Sequence, residues 1–134
     1  MTDAITVFWE RTAAVALGGA VGAVGRFWVT GWFTKLSRDS FFPWGTLVVN
    51  VAGAFALGLF LAAVTTGRFA VSPNLRTFVS IGVLGALTTF STFAYEILEA
   101  ARVGDYRVAI LNAGGSLALG LAACWLGLTL GERL

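Results

Sequence analysis

Uncharged apolar stretches divide the chain into four segments, each long enough to cross a membrane. Residues 40–67, 77–95 and 108–131 contain no Lys, Arg, Asp or Glu, and residues 12–33 contain only Arg26. A membrane-crossing helix needs about 20 apolar residues. Helices are favoured over strands because the alternation of a membrane barrel is absent. We therefore predict an all-α integral membrane protein with one four-helix domain over residues 1–134 and spans near 12–33, 43–65, 75–97 and 108–130.

Composition agrees with a membrane protein and excludes several other classes. The chain has 134 residues, of which 57% are hydrophobic and 12% are charged, whereas soluble domains carry about 25% charged residues. The net charge of +2 is too small to indicate a nucleic-acid partner. The lack of histidine and the single Cys124 exclude histidine chemistry and an internal disulfide. Asp3 and Glu10 disfavour the alternative that the first span is a cleaved signal peptide.

Lys and Arg are divided almost equally between the two sides of the predicted bundle. The side with the termini would carry Arg11, Arg68, Arg76 and Arg133, and the other side Lys35, Arg38, Arg102 and Arg107. Because an excess of positive charge normally fixes the cytoplasmic side, this balance favours insertion in both orientations. The alternative is that a weak difference in positive charge still fixes one orientation, although the two counts of Lys and Arg look balanced. A 14.1 kDa bundle is thin for enclosing a polar pathway, so we expect an antiparallel, dual-topology homodimer in the lipid bilayer.

Several polar residues lie where hydrocarbon would surround them. Asn50 is in the middle of the second span with Thr46 one turn earlier, and Asn112 and Ser116 have the same spacing in the fourth span. An amide buried without partners is costly, so these side chains should face the bundle or a water-filled path. Two interpretations remain open, namely hydrogen bonds that join the helices or a polar track for a solute.

The third span contains a segment that is poor in helix-forming residues. Two glycines, Gly82 and Gly85, are followed by four hydroxyl residues within residues 88–92. We predict a break in the helix near Gly85–Thr88, whose freed carbonyls would suit a hard cation such as sodium. The alternative is a single bent helix with threonine side chains bonded back to its carbonyls.

Aromatic and charged residues allow two interpretations each. Phe90 and Phe93 share one helix face, and they either pack against apolar groups or present their positive ring edges to an anion. Arg26 either reaches the membrane interface or draws anions into a vestibule. All seven carboxylates, including Glu96, are predicted to lie at or outside the span ends, which disfavours proton-coupled transport.

Three motifs, in the same order and spacing, resemble the CrcB/Fluc family of fluoride channels. They are GGAVGAVGRF at 18–27, GTLVVNVAG at 45–53 and GALTTFSTF at 85–93. The resemblance covers nearly the whole chain. It implies a dual-topology dimer with two antiparallel fluoride pores and a central sodium ion. It also implies passive export of fluoride from the cytoplasm across a prokaryotic cell membrane.

The resemblance implies roles for individual residues. Asn50 would be the pore asparagine, and Phe90 and Phe93 the pore phenylalanines. Sodium would be bound by main-chain carbonyls of the broken helix, and an arginine would end the first helix. The sodium ligands would be the main-chain carbonyls of Gly85 and Thr88, and the arginine at the end of the first helix would be Arg26. The rest of the fluoride path would comprise Thr46, Ser91, Thr92, Asn112 and Ser116. Many members of the family have a tyrosine at the position of Asn112, so this sequence departs from the family in the exit half of the path.

Other function classes compete with a fluoride channel. A small multidrug-type antiporter would share the four helices and the dual orientation, but it needs a membrane-embedded carboxylate that the sequence does not indicate. A helical scaffold without transport activity would show no conductance. An enzyme is disfavoured because the sequence contains no pattern of a nucleophile with its base and no metal-ligand cluster.

Overall fold

The computed structural model describes residues 2–37, 41–67 and 69–134, and every regular element in these ranges is helical. Four helical stretches are long and apolar enough to span a membrane: Asp3–Leu36, Trp44–Thr65, Pro73–Arg102 and Tyr106–Gly131. The predicted all-α fold with four spans is thus confirmed. Three charged residues of the predicted loops, Arg38, Asp39 and Arg68, lie outside the described residues.

The first helix is much longer than its predicted span. Helix α1 runs over Thr2–Leu36 and α2 over Trp44–Thr65. The 35 residues of α1 make a helix of about 52 Å at the usual rise per residue. This length exceeds the hydrocarbon core of about 30 Å, so α1 extends beyond the membrane core.

The third span consists of several helical pieces. Helix α3 (Pro73–Thr77) continues into a π-helical segment (Phe78–Leu84) and the short α4 (Gly85–Leu87), and α5 (Phe90–Arg102) follows after two residues. Those two, Thr88 and Thr89, have extended backbone angles, with ψ of 156° and 117°. The Thr88 hydroxyl donates to the Leu84 carbonyl at 3.0 Å. Helical hydrogen bonding therefore stops before α5 and starts again with it.

Side-chain caps mark the beginnings of two helices. The Leu75 N–H donates to the Ser72 hydroxyl at 3.2 Å, and Pro73 occupies the first turn of α3. Helix α6 (Tyr106–Gly131) begins after Asp105, whose carboxylate accepts from the Val108 N–H at 3.1 Å. These caps satisfy backbone donors that have no partner inside the helix.

Glycines bring the helices into backbone contact. A Cβ atom at Gly82 in the π-helical segment would lie 2.8 Å from the Gly18 Cα of α1. A Cβ atom at Gly127 or Gly131 of α6 would overlap carbonyl oxygens of α2. Small residues permit such close approach in membrane proteins. These glycines are therefore used for packing within one chain.

Large apolar side chains point outward from the bundle. Phe27, Ile81, Leu121 and Trp125 are all at least 60% exposed. The buried apolar core is formed mainly by small and medium-sized residues: Leu47, Val49, Ala62, Ala63, Leu84 and Ala109. This distribution fits a protein whose outer surface is in contact with lipid.

Candidate functional site

Asn50 of α2 is bonded to the extended residues of the third span. Its Oδ1 accepts from the Thr89 N–H at 2.8 Å, and its Nδ2 donates to the Thr89 carbonyl at 3.1 Å. The side chain thus satisfies both backbone groups of Thr89. An amide nitrogen carries two N–H groups, so one N–H of Asn50 is not used by Thr89.

Two carbonyls of the third span lose their regular helical partners. In an α-helix the Gly85 carbonyl would accept from the N–H of Thr89 and the Thr88 carbonyl from that of Thr92. The Thr89 N–H instead donates to Asn50, and the Thr92 N–H donates to the Thr89 hydroxyl at 3.3 Å. Main-chain oxygens at the predicted sodium ligands are therefore available to a further partner.

A cavity of about 340 Å³ joins the predicted pore residues of three helices. Asn50, Phe90, Phe93 and Ser116 all line it, together with Thr88, Thr89, a glycine and apolar residues. The rings of Phe90 and Phe93 have centroids 5.8 Å apart and are tilted by 52°. Phe90 is 78% exposed, so its ring stands at the edge of the chain.

A second cavity, of about 580 Å³, contains Arg26. Its walls also include Thr46, Thr89, Thr92 and Glu96. Arg26 is half-buried there rather than fully exposed. We call this space the Arg26 cavity.

Glu96 lies in the last third of the third span and contacts the beginning of α2. The residue lies six positions before the end of the third span at Arg102, and its side chain is half-buried. The Thr46 hydroxyl of α2 donates to Glu96 Oε1 at 2.5 Å. Thr46 is the third residue of α2, so this contact lies near the ends of both spans, and the location of every carboxylate at or outside a span end stays a prediction.

Asn112 and Ser116 form a buried pair on α6. The Ser116 hydroxyl donates to Asn112 Oδ1 at 2.8 Å, and Asn112 is 1% exposed. Among the described residues, the Asn112 Nδ2 is buried and has no hydrogen-bond partner. Ser116 lines the cavity with Phe90 and Phe93, and Asn112 lies one turn away from it.

The remaining predicted residues lie on the outer side of the third span. Gly85, Ser91 and Thr92 are exposed. The Thr89 hydroxyl donates to that of Thr92 at 3.0 Å and lies 3.4 Å from that of Ser91. Gly85 and Ser91 are thus accessible from outside the chain, whereas Thr89 is buried and lines the Arg26 cavity together with Thr92.

Two contact residues, Thr89 and Glu96, were not predicted as site residues. Thr89 lies inside the GALTTFSTF motif. Glu96 lies seven residues after Thr89, and Thr92 lies between the two. Residues at these spacings share one helix face. The helical period of the polar side chains could therefore have indicated Glu96.

Comparison with known proteins gives matches along most of the chain. Residues 13–128 match the family described as "CrcB-like protein, Camphor Resistance (CrcB)". The chain is 45% identical over 117 residues to "Fluoride-specific ion channel FluC 1" of Symbiobacterium thermophilum, covering 87% of this chain and 94% of that protein. It is 46% identical over 121 residues to "Fluoride-specific ion channel FluC" of Acidobacterium capsulatum, covering 90% and 94%. A protein of the same name from Methylococcus capsulatus is 48% identical over 122 residues, which are 90% of this chain and 52% of that protein.

Proposed function

This chain belongs to the CrcB-like family, and on that premise we propose that it is a fluoride-selective channel through which fluoride leaves the cytoplasm passively. Its relatives are named as ion channels and not as enzymes. It is a multi-pass prokaryotic membrane protein with four spans. The observation that carries the proposal is the cavity in which Asn50, Phe90, Phe93 and Ser116 meet.

The groups around this cavity suit a small anion. Fluoride holds its water tightly, so a pore has to replace that water with donors. The chain offers the second N–H of Asn50 and the positive edges of two phenyl rings. None of these carries a full positive charge that would trap the anion. Chloride is larger and gains less from donors fixed at the spacing that suits fluoride.

Passive flow is sufficient for the proposed role. Hydrogen fluoride is a weak acid that crosses membranes uncharged and ionises in the more neutral cytoplasm. The fluoride ion is then trapped, because a small ion does not dissolve in hydrocarbon. A selective pore would let it leave down its electrochemical gradient.

We further propose that the channel is an antiparallel homodimer. The support is the polar surface on the third span, where Gly85, Ser91 and Thr92 are exposed. Polar groups in hydrocarbon need partners, and a second copy in the opposite orientation could supply them. Exposed Phe90 would then stand at the border between the two subunits.

The Gly85 and Thr88 carbonyls fit a structural sodium ion in this dimer. Sodium is a hard cation that prefers oxygen ligands. Both carbonyls have lost their regular N–H partners to Asn50 and Thr89. Each subunit would contribute equally at the symmetry axis, and the bound ion would hold the two interrupted helices together.

Glu96 gives some support to a second candidate, a small multidrug-type antiporter. Its carboxyl is half-buried and lies on a helical stretch that is long and apolar enough to span a membrane. Coupled exchange would need this carboxyl to bind and release a proton. The named relatives favour the channel.

Flux from liposomes separates these functions. Purified protein in liposomes loaded with potassium fluoride should release fluoride only when valinomycin lets potassium follow, because a channel moves net charge. Liposomes loaded with potassium chloride should release far less anion under the same conditions. Equal release of both anions would contradict the proposal, and proton-driven uptake of a cationic dye would favour the antiporter.

A further inference from the structure

Thr89 stands out because all of its polar groups are bonded, although it lies in the extended interruption of the third span. Its backbone N–H and carbonyl pair with the Asn50 amide at 2.8 and 3.1 Å. Its hydroxyl accepts from the Thr92 N–H at 3.3 Å and donates to the Thr92 hydroxyl at 3.0 Å. The residue is 7% exposed. Thr89 is therefore held by α2 through its backbone and by α5 through its side chain.

Thr89 also lies between two cavities. It lines the cavity that contains Phe90 and Phe93, and it lines the Arg26 cavity. Of the described residues, it is the one that the two linings share. A movement of Thr89 therefore changes the wall of the candidate fluoride path on two sides.

The Thr89 hydroxyl decides where α5 begins. A threonine just before a helix commonly accepts from the N–H of the third residue after it, as Thr89 does from Thr92. Without this hydroxyl, the regular α-helical partner of the Thr92 N–H would be the Thr88 carbonyl. The helix would then be free to start earlier, and the extended backbone at Thr89, with ψ of 117°, would no longer be required.

The beginning of α5 in turn places two phenyl rings. Phe90 is the first residue of α5, and Phe93 follows three residues later on the same helix face. Both rings line the path cavity, with their centroids 5.8 Å apart. A change in the backbone angles of Thr89 rotates the first turn of α5 and so moves both rings. The attraction of a ring for an anion depends on the direction of its edge.

We propose that Thr89 is a positioning residue of the channel, whose hydroxyl caps α5 and thereby holds the rings of Phe90 and Phe93 in the orientation that fluoride passage needs. The inference deepens the proposed function and rests on it. A hydroxyl has one proton to donate, and that of Thr89 is bonded to Thr92. The effect of Thr89 on flux therefore comes through the two rings and not through a bond from its hydroxyl to the ion.

Substitution of Thr89 by valine tests the inference with two readouts. Thr89→Val keeps a similar volume and removes the hydroxyl. Fluoride efflux from liposomes should fall about fivefold, the factor that corresponds to the loss of one helix cap. The chain contains 11 phenylalanines, and in protein with ¹³C-labelled phenylalanine rings Phe90→Leu and Phe93→Leu identify the resonances of these two rings. Thr89→Val should shift both resonances in fluoride-free buffer.

Two further variants are the matched controls. Thr89→Ser keeps the capping hydroxyl, so efflux and both ring resonances should remain close to those of the wild type. Ser72 caps α3 by accepting from the Leu75 N–H at 3.2 Å, and it lies outside the linings of both cavities. Ser72→Ala thus removes a comparable cap and should leave both readouts unchanged.

A second variant without the hydroxyl makes the test independent of the fit of valine. Thr89→Ala adds no bulk and should act as Thr89→Val does. Unmoved Phe90 and Phe93 resonances in these variants would overturn the inference even if efflux falls, because the hydroxyl would then act on the ion directly. Wild-type efflux with moved rings would overturn it as well. The resonances are measured without ion flux, so failure of the proposed function would show separately, as a wild-type chain that releases no fluoride.

Discussion

The side chain of Asn50 forms hydrogen bonds with the backbone N–H and carbonyl of Thr89, which lies 39 residues later in the chain. Its oxygen accepts from the Thr89 N–H at 2.8 Å and its nitrogen donates to the Thr89 carbonyl at 3.1 Å. The extended backbone at Thr89 is therefore paired by a side chain from another helix. The same amide lines the cavity that contains Phe90 and Phe93, so one residue both supports the interruption and faces the candidate path.

Removal of the Asn50 amide should affect both stability and flux. Asn50→Ala leaves the Thr89 N–H and carbonyl without this partner, which should lower the free energy of unfolding by about 2 kcal/mol. Fluoride flux should fall about tenfold or more, since a donor is lost from the path. Thermal unfolding in detergent and efflux from liposomes measure the two effects. The matched control is Asn74→Ala, because Asn74 makes one exposed bond to Glu10, and unchanged values for Asn50→Ala would contradict the assignment.

Replacement of Phe90 should lower flux without loss of stability. Phe90 is 78% exposed in the chain, so Phe90→Ile should change the stability of the fold by only about 0.5 kcal/mol. It removes the ring edge, and fluoride efflux should fall about tenfold. Phe8→Ile, at an exposed position of α1, should leave efflux unchanged. Wild-type efflux from the Phe90 variant would show that its ring is not part of the path.

A large side chain at Gly85 should weaken the proposed dimer. Within the chain, a Cβ at this position would lie 3.6 Å from the Ser80 carbonyl oxygen, which is ordinary contact. Gly85→Leu should therefore leave the helix content unchanged while it shifts the protein from dimer to monomer. The mass in detergent, from light scattering after size exclusion, distinguishes the two states. Gly31→Leu, where a Cβ meets no atom within 4 Å, is the control, and a fully dimeric Gly85 variant would place the interface elsewhere.

Sodium should stabilise the protein if the Gly85 and Thr88 carbonyls hold this ion. A ligand that binds only the folded state raises the melting temperature with its concentration. Thermal unfolding after dialysis should thus occur at a higher temperature in sodium chloride than in choline chloride at equal ionic strength. Equal melting temperatures in both salts would count against the sodium site.

Two glycines of α6 should respond oppositely to alanine. A Cβ at Gly127 would overlap the Phe55 carbonyl oxygen of α2, whereas one at Gly120 would meet nothing within 4 Å. Gly127→Ala should therefore lower the free energy of unfolding by about 2 kcal/mol. Gly120→Ala should be neutral or stabilise by up to about 1 kcal/mol, from helix propensity. Denaturant unfolding of the two variants side by side checks the difference, and equal losses would mean that the contact with α2 is not close.

The amino-acid sequence by itself determined the membrane class, the four spans and the family resemblance. Long uncharged stretches without the alternation of barrel strands are accommodated in hydrocarbon as helices, so the spans follow from local composition. The break predicted near Gly85–Thr88 also rests on local sequence, since glycine and hydroxyl residues weaken a helix at the place where they occur. The predicted ends of the helices were less accurate, since α5 continues to Arg102, beyond the predicted end at residue 97.

Only the tertiary structure decided which polar groups meet. The contacts of Asn50 with Thr89 and of Thr46 with Glu96 join residues that are distant in the sequence. Such contacts depend on how each helix is rotated and shifted against its neighbours. Glycine contacts such as that between Gly18 and Gly82 fix the rotation and shift, and no local pattern specifies which glycines will meet. For this reason Glu96, at the end of its predicted span, became a residue of the site only after the helices were packed.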